Sequence, residues 1–320
     1  MKILLTGANG FIGRHLVPLL QSQGHQLVLP VRHPGLKIAG TATQYLNDFS
    51  DDNQWAILLQ GVDVMIHLAG RAHVMKEDRG DPATLFQQAN VDFPLRLAKI
   101  AVSCQVKRLV FVSSIGVMGP ARTTPFSCQD QPAPVELYAR SKWQAEQALT
   151  ALSQQYGLEL VIVRPPLVYG PNAPGNFGRL LRLAKLPLPL PLGAVHNQRS
   201  FVSVQNLADF LGRCAVHLNA AGQTFLVCDG QDISTTQLLL TVRRLLGRPA
   251  WLLPVPVRWL RWCCQYLGAT AIQQKLLDSL QIEQRHTTEL LQWQPPLTVM
   301  EGLAQAVSSE ASVPVAEDRH

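Results

Sequence analysis

An apolar run at residues 2–6 leads directly into Gly7, Gly10 and Gly13, and Leu16, Val17, Leu19 and Leu20 follow at helical spacing. Few folds accept a strand, a three-glycine turn and a helix in that order. Gly7 permits the tight turn, Gly10 lets phosphates approach the backbone, and Gly13 lets the helix lie against the sheet. The N–H groups at the helix start, around Phe11 and Ile12, then face whatever anion binds there. The pattern predicts a dinucleotide site built on Gly7, Gly10, Phe11, Ile12 and Gly13.

The rest of the first half repeats the same unit. Strand patterns at residues 26–31, 43–46, 63–68, 108–112 and 160–163 alternate with helical patterns at 13–23, 82–104 and 138–156. Such alternation implies a doubly wound parallel sheet, a Rossmann-type α/β fold. The composition changes after Pro171. Residues 1–171 are therefore expected to form the nucleotide-binding domain. Residues 172–303, with a Leu/Pro run at 186–192, a helix at 204–218 and a strand at 224–227, are expected to form a small α/β substrate region. Residues 304–320 are expected to be a loose tail.

The cofactor can be narrowed further. Many NAD sites carry an acidic residue at the end of the second strand, bonded to the ribose hydroxyls. Here that place holds Val31, Arg32 and His33. An arginine fork suits a 2′-phosphate, so Arg32 favours NADP(H), with NAD(H) the alternative. Asp48 is expected to cap the adenine pocket, and Leu68, Ala69 and Gly70 to lie along the cofactor. His67, inside a strand, reads as a buried, satisfied histidine.

The formal net charge of +6 suits an anionic ligand, and the absence of a Lys/Arg cluster argues against a nucleic-acid partner. Six cysteines without a CxxC pair or metal-like spacing imply no metal and reduced thiols in a cytoplasmic protein. No apolar run reaches the roughly 20 residues of a membrane span, and the glycine turn interrupts the apolar start too early for a signal peptide. PVRWLRWCCQYLG, at residues 256–268, is the one stretch suited to a membrane or partner, and an amphipathic packing helix is its expected role.

Tyr138 and Lys142 form a Y-x-x-x-K pair at a helix start, which puts both on one face. A phenol of pKa about 10 next to an ammonium is drawn towards its phenolate and can act as a general acid/base. Ser114, at a strand end, can hold the same substrate oxygen.

TGANGFIG, HLAG, VSSIGVMG, YARSK and RPPLVYGP, in this order, resemble the extended short-chain dehydrogenase/reductase family from residue 1 to about 303. Within it the chain is similar to the UDP-sugar 4-epimerase and 4-keto-reductase branch that serves polysaccharide and O-antigen precursor synthesis. The resemblance implies Ser114, Tyr138 and Lys142 as the catalytic set, with Asn90, Ser113, Pro165 and Lys142 at the cofactor. It also implies Asn176 and Arg199 at the substrate diphosphate, and a homodimer through the helices around Asn90 and Tyr138.

The departures from the family pattern matter as much. Ile115 and Gly116 stand where dehydratases carry an Asp-Glu pair, so elimination of water is not expected. Leu167 replaces an asparagine common in epimerases, Asn206 replaces an aspartate, and a second phosphate-binding arginine has no counterpart around residues 278–284. The leading expectation is reduction of a 4-keto(-6-deoxy) UDP-hexose, with N-acetylation of the sugar expected. The alternatives are a UDP-glucose(NAc) 4-epimerase with tightly bound NAD, and a non-catalytic NAD(P)-binding scaffold or sensor.

Overall fold

The structure is a computed structural model and describes residues 1–72 and 80–311. In chain order its main elements are β1 (Lys2–Thr6), α1 (Phe11–Ser22), β2 (Gln26–Val28), α2 (Asp52–Leu59), β3 (Val64–His67), α3 (Pro82–Gln87) and α4 (Phe93–Ser103). Next come β4 (Arg108–Val112), α5 (Leu137–Tyr156), β5 (Glu159–Arg164), α6 (Gly175–Lys185), α7 (Val204–Val216) and β6 (Thr224–Leu226). The chain closes with α8 (Thr235–Leu245), α9 (Val257–Tyr266), α10 (Thr270–Leu276), α11 (Arg285–Leu291) and α12 (Val299–Ala311).

The six strands form one parallel sheet in the order β6-β5-β4-β3-β1-β2. Side chains alternate across it, as the pleat requires. Ile3, Leu5, Val110, Val112, Val161 and Val163 enter the core shared with α1 and α7. Leu4, Met65, Leu109, Phe111, Leu160 and Ile162 enter the core shared with α2, α4 and α5. Covered on both faces, the sheet exposes only its strand ends to ligands.

The expected strand at 26–31 breaks at Leu29. Pro30 has no N–H to continue the ladder, and Leu29 N–H goes to the Gln44 side chain at 2.6 Å. Pro30–Val31 then pairs in parallel with Gln44–Tyr45 as a separate two-stranded sheet. The expected helix at 82–104 is interrupted by a π turn, Gln88–Asp92.

The chain after Pro171 does not stay apart from the sheet. Helix α7 packs beside α1, and β6 is an edge strand of the same sheet. Arg108 fixes this return: it is buried, pairs with Glu159, and donates to the carbonyls of Cys214, Ala215 and His217 at the end of α7. A cation at a helix C-terminus satisfies carbonyls that have no partner within the helix.

The remaining elements build a second lobe with its own core, drawn from α6, α8 and α12 and from Leu167–Tyr169 paired with Phe201–Ser203. A loose tail is expected over residues 304–320. Residues 304–311 continue α12, with Ala306 and Val307 buried in this core, and residues 312–320 lie outside the described residues.

Candidate active site

The carboxyl ends of β1, β3, β4 and β5 lie along one edge of the sheet, and the residues that follow them meet there. The glycine turn after β1 is as tight as its spacing implies. Gly7 has φ +72°, and a Cβ on Gly13 would stand 2.4 Å from the Gly7 carbonyl oxygen. Gly10 caps α1 without any side-chain bond, which leaves the first helical N–H groups open to an anion. A cleft of about 1000 Å³ opens above the turn, lined among others by Gly7, Gly10, Arg32, Phe49, Leu68, Ala69 and Gly70.

Arg32 lines this cleft with its guanidinium 4.9 Å from the Phe49 ring centre. Asp48 does not line the cleft as expected. Its carboxylate accepts from Ser50 N–H and Oγ at 2.7 and 2.6 Å, which holds it below the usual carboxylate range, and Phe49 and Ser50 line the wall instead. Phe11 turns towards the second lobe and packs on its core.

His67 is buried, and its Nδ1 meets Thr6 Oγ1 at 2.9 Å, the same hydroxyl that accepts from Ala69 N–H. Burial first, and then the charge of Lys142, pushes the imidazole down to about 3, so it stays neutral. Its Nε2 has no hydrogen-bond partner among the described residues, so the expected satisfied histidine is satisfied there on one side only.

Asn90 sits in the π turn, whose extra residue rotates the side chain into the site. It donates to Ser141 Oγ and Arg71 O and accepts from Arg71 N–H, all within 2.9 Å, tying the loop after β3 to α5. A Cβ on Gly70 would stand 3.1 Å from Asn90 Oδ1 and 3.4 Å from Lys142 Nζ, so these three groups converge.

Helix α5 carries Tyr138 and Lys142 one turn apart. Lys142 donates to Val112 O at 2.9 Å, and its Nζ lies 4.7 Å from the Phe111 ring centre. Burial lowers its pKa to about 8, opposed by the charge of Glu146 one turn further on. The Tyr138 phenol is pushed up to about 12 by burial, while a hydrogen bond with Ser114 pulls it down.

Ser114 precedes a 3₁₀ turn, Ile115–Met118, and its hydroxyl accepts from Gly116 N–H at 3.2 Å. Pro165 is brought alongside, because its carbonyl accepts from Ile115 N–H at 2.9 Å. Ser113 Oγ is buried without a partner among the described residues. Beneath the site Arg164 and Glu146 form a buried bidentate pair, and Arg164 also reaches Met118 Sδ. Sequence reasoning passed over Ser141, Phe111 and Glu146. The only available signal was their position, one residue from Lys142, at the end of β4, and four residues beyond Lys142.

The second lobe supplies the other expected residues. Asn176 is half-buried in the first turn of α6. Arg199 bridges to Leu280 and donates through Nη1 to Asp278 O at 2.6 Å and Gln274 O at 3.1 Å. Leu280 packs on the cluster of Ile115, Met118, Phe126 and Ile282, which joins Arg199 to the turn after Ser114. Leu167 is half-buried against the core of this lobe. Among the described residues no group of His, Cys, Asp and Glu is arranged to hold a metal, and all six cysteines are free thiols.

A nicotinamide dinucleotide fits these residues: a glycine cradle that a Cβ would fill, an uncapped helix start, and two buried polar atoms, Ser113 Oγ and His67 Nε2, without partners among the described residues.

Comparison with known proteins agrees. The UDP-glucose 4-epimerase of Vibrio cholerae is 38% identical over 316 residues, covering 96% of this chain and 95% of that protein. Among solved structures, UDP-N-acetylglucosamine 4-epimerase from Bacillus cereus superposes with a TM-score of 0.78 at 19% identity, covering 98% of each chain. UDP-glucuronic acid 4-epimerase from Bacillus cereus, in complex with NAD, superposes with a TM-score of 0.76 at 21% identity, covering 97% and 96%. The pattern of the NAD-dependent epimerase/dehydratase family matches residues 3–228, a span that includes the strands of the sheet and Ser114, Tyr138 and Lys142. This chain belongs to that family of enzymes, within the extended short-chain dehydrogenases/reductases.

Proposed function

We propose that the enzyme is a UDP-sugar 4-epimerase that retains NAD and interconverts the two configurations at C4 of a UDP-hexose. The observation that carries this reading is the convergence of Lys142, Gly70 and Asn90 at the cofactor cleft, with Tyr138 and Ser114 beside them. These are groups for moving one hydroxyl proton. Ile115 and Gly116 add none for eliminating water. The relative of 38% identity carries the same activity in its name, which supports the epimerase over the net 4-keto reductase expected first.

Tyr138 would take the proton of the sugar C4 hydroxyl as the C4–H bond breaks, and return it when hydrogen is delivered to the other face. No net reductant is consumed. Ser114 would hold O4 during both steps. Lys142, charged below its pKa of about 8, would favour the phenolate. NAD supplies the acceptor and then the donor of hydride, and its positive ring adds to the pull on the phenol. Gly7, Gly10, Phe11, Ile12 and Gly13 would hold its diphosphate, and Asn176 and Arg199 would face the diphosphate of the sugar nucleotide. A homodimer through α4 and α5, which lie side by side on one face of the sheet, belongs to the same reading.

The test is conversion of UDP-glucose, or its N-acetylated form, to the galacto epimer with no added reductant. Absence of the epimer, with stoichiometric loss of NADPH on a UDP-4-keto-6-deoxyhexose, would establish the reductase instead. That second reading rests on Arg32, which lines the cleft where NAD sites carry an acid. Release and identification of the bound nucleotide separates NAD from NADP.

A further inference from the structure

Helix α9 has two apolar stripes, and the fold uses one. Val257, Leu260 and Cys264 turn inward and pack on the core of the second lobe. On the opposite side Trp259, Trp262 and Tyr266 are 62%, 66% and 81% exposed, with the Trp262 and Tyr266 rings stacked 5.8 Å apart. The loop that enters α9 adds Trp251 and Leu253, both more than half exposed.

The neighbouring loops are held firmly. Buried Arg243 donates to the carbonyls of Leu186, Leu188, Pro249 and Trp251, so two loops carrying exposed apolar side chains are fixed by one guanidinium. A bridge between Leu190 and Leu252 fastens them again.

The charge of this region is equally one-sided. Residues 233–277 contain six basic residues and no acidic one, which equals the formal net charge of +6 of the entire chain. Arg244, Arg248, Arg258 and Lys275 are exposed. Arg258 and Arg261 lie along one flank of the aromatic stripe, and Arg261 pairs with Asp278.

We propose that this face docks on an anionic membrane surface, with Trp259, Trp262 and Tyr266 seated at headgroup depth and the arginines on lipid phosphates. Trp and Tyr, with apolar bodies and polar edges, prefer that depth. An amphipathic helix with a basic flank is drawn to anionic lipid. A second copy of the chain is the poorer occupant, because a symmetric contact would set this positive region against itself. Attachment would be peripheral, since no helix among the described residues is long and apolar enough to cross a membrane.

Flotation of the full-length protein with phosphatidylglycerol/phosphatidylcholine vesicles, against phosphatidylcholine alone, tests this without reference to activity. The expected result is at least about tenfold more protein with the anionic vesicles, lost in high salt. Trp259→Ser/Trp262→Ser/Tyr266→Ser and Arg244→Glu/Arg248→Glu/Arg258→Glu should each lower flotation by about tenfold, with unchanged circular dichroism. Equal flotation on both vesicle types, or full flotation of both variants, overturns the proposal. So does an aromatic variant that shifts the protein to a smaller species by sedimentation velocity while the parent protein ignores vesicles, which would assign the face to a second copy. If a variant misfolds, quenching of the parent protein's tryptophan emission by brominated anionic lipid decides, and no quenching refutes.

Discussion

Tyr138 and Tyr169 are pushed in the same direction by burial and sit in opposite surroundings. The Tyr138 phenol has Ser114 against it and Lys142 one turn away on the same helix. The Tyr169 hydroxyl donates to the Asp229 carboxylate at 2.7 Å, and both the burial and that charge raise it further. A cation beside a phenol makes proton loss easier, and an anion makes it harder. At Tyr138 the hydrogen bond with Ser114 is what pulls the phenol down, whereas the Asp229 carboxylate holds Tyr169 as a donor. Both phenols are buried, and what differs is the neighbour: the Ser114 hydroxyl eases proton loss at Tyr138, while the Asp229 carboxylate opposes it at Tyr169.

Asp229 also accepts from Ser203 N–H with both oxygens and from Asn206 Nδ2 at 2.7 Å, while Asn206 exchanges bonds with the backbone of Leu297. Tyr169, Ser203 N–H and Asn206 are all neutral partners, and burial raises the pKa of this carboxylate. Asn206 suits this site, since a carboxylate there would meet Asp229 with no proton between them.

The sharpest break of the comparison is Tyr138→Phe. It removes the proton-moving oxygen and keeps the ring, which packs 6.1 Å from Phe86. Turnover should fall by roughly 10³–10⁴-fold, the upper part of the range for a lost general acid/base, while the thermal midpoint stays within a degree or two. Undiminished epimer formation by the variant would remove Tyr138 from the mechanism.

Asn206→Asp should act on stability alone. Two buried carboxylates would share one site and Leu297 O would lose its donor, a cost of about 3 kcal/mol. The loss should be greater at pH 8 than at pH 5, since a proton between the two oxygens relieves it. Urea midpoints at the two pH values measure this, and an equal loss at both would mean that Asp229 is already protonated.

Tyr169→Phe takes one donor from Asp229 and should cost about 2 kcal/mol. The activity of the folded fraction should stay near that of the parent. If activity falls as it does for Tyr138→Phe, the division between the two tyrosines fails.

These two constellations also differ in how visible they were in the sequence. The glycine turn and the Tyr138/Lys142 pair are local patterns, whose spacing within a turn or a helix already defines their geometry. Tyr169 and Asp229 are 60 residues apart and meet only because Leu167–Tyr169 pairs with Phe201–Ser203 and the chain then returns through β6. For the same reason the strand at 224–226 was recognisable while its place in the main sheet was not: three residues do not declare which edge they join. Asn90 was legible as a residue, but the π turn that aims it was not. At Asp48, expected at the adenine pocket, a serine two residues on bonds the carboxylate locally, and Phe49 and Ser50 line the cleft wall beside it.

His67 offers the smallest effect and the finest discrimination. It is neutral in the folded protein, with its pKa lowered to about 3 from an ordinary 6.5. Above pH 6.5 the folded and unfolded chains both carry it uncharged, and it contributes no pH dependence. Between 6.5 and about 3 the unfolded chain takes up the proton and the folded one does not, so stability falls as pH falls. From pH 6.5 to 5.5 that amounts to about 1 kcal/mol for one proton. His67→Asn should be less stable at every pH, because it loses the ring stacked on Phe111, yet its stability should fall less steeply over this interval. Urea midpoints at half-unit steps of pH would show it. Parallel curves for the two proteins would mean that a proton reaches Nε2 in the folded state, and that the Lys142 side of the site is wetter than its packing indicates.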